Sequence, residues 1–150
     1  MSVQTTIEFK TSAQRSCYEK VAKWLQEIFG EMGFPDPESP RFLIPGGSAV
    51  TNVFVGPWGD DDATVCVRAY VVMGAELTSD LMYFLLNENA DMLFGAFGLD
   101  KDGDIFFDHT IVGGHLDKET LKASVKAVMQ IADEYDDQIV ARWGGKRARD

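Results

Sequence analysis

Cysteine, histidine and positive charge are all scarce in this chain. With two cysteines and two histidines in 150 residues, it has no Cys-x-x-Cys pair, and its histidines make no recognised zinc spacing. Cys17 beside Tyr18, and Cys66 between Val65 and Val67, stand far apart in apolar surroundings and read as small core residues. Lys and Arg number 14 against 24 acidic residues, a formal charge of −10. A phosphate backbone is held by clustered Lys and Arg, so nucleic acid is excluded as a partner class. The acidic excess keeps the protein soluble and suits, at most, docking of basic or amphipathic partners. No apolar run approaches the roughly 18 to 20 residues of a membrane span, and no charged segment followed by an apolar one marks the N-terminus. A cytoplasmic protein without a membrane partner is expected. Phosphate loops and nucleophile elbows are missing too, so neither an enzyme nor a bound cofactor or metal is expected.

What the chain does have is one unbroken apolar run, Leu81-Met82-Tyr83-Phe84-Leu85-Leu86. Thr78 and Asp80 before it mark a helix start. As a helix it is apolar on every side, and one core does not cover every side of such a helix. Part of it is left for a partner, which points to association. Leu81 and Leu85, four apart, share a side.

The length fits a single domain, residues 1–150, large enough for a core of its own. Val3, Ile7 and Phe9 form an edge strand or a loose arm. Thr11 and Gln14 offer a capping box, and Tyr18, Val21, Ala22, Leu25, Phe29 and Met32 recur at helical spacing until Gly30 and Gly33 end the helix. The prolines of 34–40 make a rigid connector. From Arg41 the period becomes two: strands over 42–44, 50–55 and 63–73 follow, the last with Val65, Val67, Ala69, Val71 and Met73 inward. The central helix runs over 79–89. A hairpin of 93–99 and 104–112 follows, turning at Asp100-Lys101-Asp102-Gly103, with Phe94 and Phe97 on opposite faces and likewise Phe106 and Phe107. Asp117 caps a last helix carrying Leu121, Val125, Val128, Ala132, Tyr135, Ile139 and Trp143, and Lys146, Arg147 and Arg149 trail as a solvated basic tail. The expected fold is α+β: helix, three strands, helix, two strands, helix, with helices on one face of a mainly antiparallel sheet.

The polar candidates carry little chemistry. Asp100, Asp102 and Asp104 alternate like a calcium loop, but Gly103 is fourth where the loop needs its glycine sixth, and Ile111 stands where a bidentate glutamate belongs. A hairpin turn explains them. Asp108 and His109 are neighbours on a strand and point apart, and His109 shares a face with Ile105 and Phe107 as a partly buried residue. A ligand- or ion-responsive regulator would place Asp60, Asp61, Asp62, His109 or His115 around a small polar site.

Element order, size and acidity resemble the type III secretion chaperone-like fold. Within Val65 to Asp108, Arg68-Ala69-Tyr70-Val71-Val72, Leu81-Met82-Tyr83-Phe84-Leu85-Leu86-Asn87 and Phe94-Gly95-Ala96-Phe97 look like the YbjN-domain family of that superfamily. The resemblance implies an α/β sandwich that often forms homodimers, a non-enzymatic role in binding other polypeptides or in sensory regulation, and no catalytic motif. A homodimer with a polypeptide client is therefore expected, with Leu81, Met82, Leu85, Phe94 and Phe97 at the dimer or partner interface.

Overall fold

The computed structural model describes residues 6–149; Val3 lies outside them. Helix α1 (Ser12–Phe29) starts at Thr11, whose Oγ1 accepts the Gln14 N–H at 3.0 Å. Gln14 reaches back one residue beyond the cap, accepting the Lys10 N–H at 2.8 Å, while its Nε2 donates to the Val55 carbonyl at 3.0 Å. A side chain expected to finish a cap thus also bolts the helix to the sheet. Cys17, Tyr18, Val21 and Leu25 face inward, and Ile7 and Phe9 pack beside them, Phe9 against the Tyr18 ring. Met32 does not continue the stripe: the helix has ended, and the side chain is 58% exposed.

Among the described residues seven strands form one antiparallel sheet: β1 (Phe34–Pro35), β2 (Arg41–Gly46), β3 (Ala49–Trp58), β4 (Asp62–Met73), β5 (Ala96–Leu99), β6 (Ile105–Val112) and β7 (Lys146–Arg147). Their order is β1-β2-β3-β4-β6-β5, with β7 against β4. Two strands go beyond the expectation from periodicity. Phe34 precedes a proline and is held extended, so part of the connector pairs with Phe42 and Leu43. The basic tail is not simply solvated; it joins the sheet as β7.

Helix α2 (Ser79–Asp91) is capped by Thr78, whose Oγ1 accepts from the Leu81 N–H, and α3 (Lys118–Trp143) by Asp117, which accepts from the Thr120 N–H at 2.7 Å. The long α3 crosses β3, β4 and β6, α1 lies on β3 and β4, and α2 packs at β5, all on the face that Val53, Val55, Val65, Val67, Ala69 and Phe107 fill. The expected α+β sandwich is the fold seen. Alternation fails once in β4. A bulge between Tyr70 and Val72 buries Val72 and turns Met73, expected inward, to solvent. The Asp100 turn is a hairpin turn. Its Oδ1 accepts the N–H groups of Asp102 and Asp104 at 2.9 and 3.0 Å, and Gly103 takes φ +82°.

A candidate polypeptide-binding surface

The central helix divides its apolar residues between two sides. Leu81 and Leu85 share the inward side, as four-residue spacing requires, and are buried. Phe84 leans on α3, its ring centroid 5.3 Å from that of Trp143 and 6.3 Å from that of Tyr135. Tyr83 and Leu86, three apart on the opposite flank, are each 70% exposed. Past the helix end Leu93 is 93% and Phe94 48% exposed, beside a groove of about 270 Å³ whose other wall is Ala127, Gln130 and Ile131 of α3.

The residues expected at the interface differ in exposure. Leu81, Leu85 and Phe97 are spent on the chain's own core, Phe97 between the rings of Phe107 and Tyr135. Met82 is half-buried against that core. Of the five expected residues, Phe94 alone stands exposed, and Tyr83, Leu86 and Leu93 join it. Run length reveals that such a helix has a surplus face; only the fold tells which residues form it. Phe94 and Phe97 also fail to part across the sheet. Gly95 takes φ +69° and breaks the alternation, so Phe94 turns to the helix side and meets the His109 ring edge-on at 5.9 Å. Phe106 and Phe107 do part, Phe107 inward and Phe106 outward.

The outward sheet face is open and mixed. Arg41, Asn52, Phe54, Cys66, Arg68 and Tyr70 line a shallow hollow of about 300 Å³ there. Asp108 Oδ2 accepts from Nε and Nη2 of Arg68 at 3.0 and 2.7 Å, and the guanidinium stacks on Phe106 at 3.7 Å. Burial opposes the Arg68 charge, but Asp108 outweighs it and holds the guanidinium above its ordinary pKa. Cys66 is also pushed up, chiefly by burial, which leaves its thiol protonated and a poor nucleophile. Asp108 and His109 lie on opposite faces, so no acid–base pair forms.

The residues proposed for a small polar site are not all brought together. Asp62 Oδ1 accepts the N–H groups of Ala63 and Gly114 at 2.7 and 2.9 Å. It shares a hollow with Asp61, Cys17 and Lys20, while His115 is exposed and His109 stands against Phe94. Among the described residues no group of three or more His, Cys, Asp or Glu is placed to hold a metal ion, and no helix is long and apolar enough to cross a membrane.

A family model described as "T3SS (YopN, CesT) and YbjN peptide-binding chaperone 1", TY-Chap1, matches residues 16–150. The chain belongs to this family. In structure this TY-Chap1 member is similar to a chain of the crystal structure of the ExsC-ExsE complex, with a TM-score of 0.64 over 81% of this chain and 95% of that one. At 17% identity that likeness concerns the fold alone. No curated protein matches the chain.

Three polar arrangements in this TY-Chap1 chain escape sequence reading because each joins two different elements, and two of them join residues far apart along it. Asn89 of α2 serves the outer edge of β5, its Oδ1 accepting the Phe97 N–H at 2.6 Å and its Nδ2 donating to the Phe97 carbonyl at 3.1 Å. The Tyr135 hydroxyl donates to Glu88 at 2.5 Å, and this bond, helped by burial, pushes the phenol up to about 12. Ser48, between β2 and β3, meets both Asp133 and Asp136 of α3. The one available signal was polar residues on an otherwise apolar seam of α3.

Proposed function

We propose that this protein is a non-enzymatic, homodimeric, chaperone-like adaptor in which a second copy covers the outer flank of α2 and a segment of a client polypeptide lies along the Leu93–Phe94 groove. The observation that carries it is the exposure of Tyr83, Leu86, Leu93 and Phe94 on and just beyond one helix. Clustered apolar exposure of this kind marks an interaction site, because covering it releases ordered water at roughly 25 cal/mol per Å². Membership of a peptide-binding chaperone family supports a polypeptide as the client. The structural neighbour, a chain within a complex of two named proteins, fits the same reading. A regulatory role would follow if client binding and release carry a signal.

Two experiments address the two halves. Sedimentation equilibrium of the full chain at micromolar concentration is expected to give a dimer, and Tyr83→Glu with Leu86→Glu a folded monomer. A wild-type monomer removes the dimer. For the client, a random peptide library displayed on phage is panned on the immobilised chain. Enriched, apolar-rich peptides that Leu93→Asp no longer retains support the groove; enrichment of none disposes of it.

A further inference from the structure

The last strand is a short basic segment lying in an acidic setting. Strand β7 pairs through Lys146 with Met73 and through Arg147 with Val72. This end of β4 lies beyond the stretch that β3 covers, whose pairing stops at Thr51 and Ala69. Arg147 Nη1 meets Asp137 Oδ1 at 3.2 Å, and Arg149 donates from its backbone to the Ser48 carbonyl and from Nη1 to the Gly47 carbonyl, each at 3.1 Å. Asp133, Asp136 and Asp137 come from adjacent turns of α3. Asp133 and Asp136 bond Ser48, and Asp136 is buried with its Oδ1 lacking a hydrogen-bond partner.

The segment is joined to α3 through two glycines. Gly144 and Gly145 both take positive φ, +76° and +91°, and a Cβ at Gly145 would lie 2.7 Å from the Met73 carbonyl oxygen. Backbone that only glycine adopts readily thus turns the chain from α3 onto the β4 edge, and the end of α3 is tied by the Glu76 N–H donating to the Trp143 carbonyl at 2.9 Å. The contacts on the segment include the two-residue ladder, the Arg147–Asp137 pair and the two Arg149 bonds to backbone carbonyls; of these the exposed ion pair contributes little in water. The chain as a whole is strongly acidic, with a formal charge of −10, so a basic segment is also what its field attracts.

We propose that the β4 edge at Val72–Met73, flanked by the exposed carboxylates of Asp133 and Asp137, is a docking slot for an extended basic segment of a partner polypeptide, and that β7 is its displaceable intramolecular occupant. The inference rests on the reading above for the class of partner but concerns a surface apart from α2. Backbone pairing would supply the hold on an extended chain, and the carboxylates would select Lys and Arg over neutral or acidic side chains. A tethered occupant acts at an effective concentration in the millimolar range, so a partner must outcompete it.

The test uses the full chain and a fluorescein-labelled peptide, Gly-Lys-Arg-Ala-Arg, followed by anisotropy. Arg147→Glu with Arg149→Glu sets the chain's own segment against Asp137 and opens the slot. This variant is expected to bind the peptide at least about tenfold more tightly than wild type, and added salt should weaken that binding. Adding Asp137→Asn should weaken that binding too. Hydrogen exchange at Val72 and Met73 supplies a second readout, faster in the charge-reversed variant and slowed again by peptide. Equal binding by wild type and the charge-reversed variant, or a gain indifferent to Asp137→Asn, overturns the proposal. So does a change in mass on charge reversal while Tyr83 and Leu86 are intact, because the occupant would then be a second copy's β7. Tyr83→Glu leaves the peptide result unchanged, so the α2 reading and this one fail separately.

Discussion

Leu81→Ala and Leu86→Ala remove the same atoms from opposite sides of one helix, and the difference between them reports which side the core owns. Helix propensity changes equally in both and cancels. Leu81 has no exposed surface, so its truncation loses transfer energy and leaves a cavity, about 2–5 kcal/mol together. Leu86 is mostly in water, and its loss should stay within about 0.5 kcal/mol. For a chain of this size each kcal/mol is worth roughly 2–4 °C, so a cost near 3 kcal/mol puts the Leu81 variant about 6–12 °C below wild type. Urea unfolding followed by circular dichroism measures both variants. It should be run at two protein concentrations, since a dimer that buries Leu86 makes its stability rise with concentration. At the lower concentration, where subunits are apart, an equal cost for the two variants would falsify the assignment of sides.

Three further outcomes follow from the polar contacts. Burial raises the pKa of Asp136, while the Ser48 hydroxyl and N–H lower that of Asp133. A group whose folded pKa is raised contributes stability that is complete below the ordinary carboxylate pKa and is lost as pH rises through the folded value. Asp136→Asn, which does not titrate, should therefore flatten that decline in urea titrations run upward from the carboxylate range; an unchanged pH dependence would contradict the shift. Tyr135→Phe should delete the tyrosinate absorbance step near 12 in an ultraviolet titration, and survival of that step would place it on another residue. Asn89→Ala leaves the Phe97 N–H and the Phe97 carbonyl without their side-chain partner and should cost about 1–3 kcal/mol, with faster hydrogen exchange at Phe97; an unprotected Phe97 amide in the wild type would contradict the contact.

Periodicity and capping residues carried most of the fold. Thr11, Thr78 and Asp117 begin α1, α2 and α3, and alternation in 50–55 and 63–71 places Val53, Val55, Val65, Val67 and Ala69 on the covered face. Local rules failed where one residue changes the count. The bulge after Tyr70 exchanges Val72 for Met73, and Gly95 turns Phe94 to the helix side. The candidate surface was legible only as a surplus of apolar residues. Which of Leu81, Tyr83, Leu85 and Leu86 are surplus depends on how α2 is rolled against α3, which Phe84, Tyr135 and Trp143 settle across about fifty residues of chain. Strand β7 was invisible for the same reason. Its two residues carry no strand pattern, and their partner is an edge of β4 left bare by the start of β3.

The most direct measurement is the affinity of a panned, labelled peptide for wild type and for Leu93→Asp, by anisotropy at matched fold. Leu93 lies almost wholly in water, so its replacement spares the core. A binding surface centred there requires the variant to lose at least about tenfold in affinity, the weight of one well-placed apolar anchor. Equal affinity in a folded variant would contradict the proposal that the client lies along this groove.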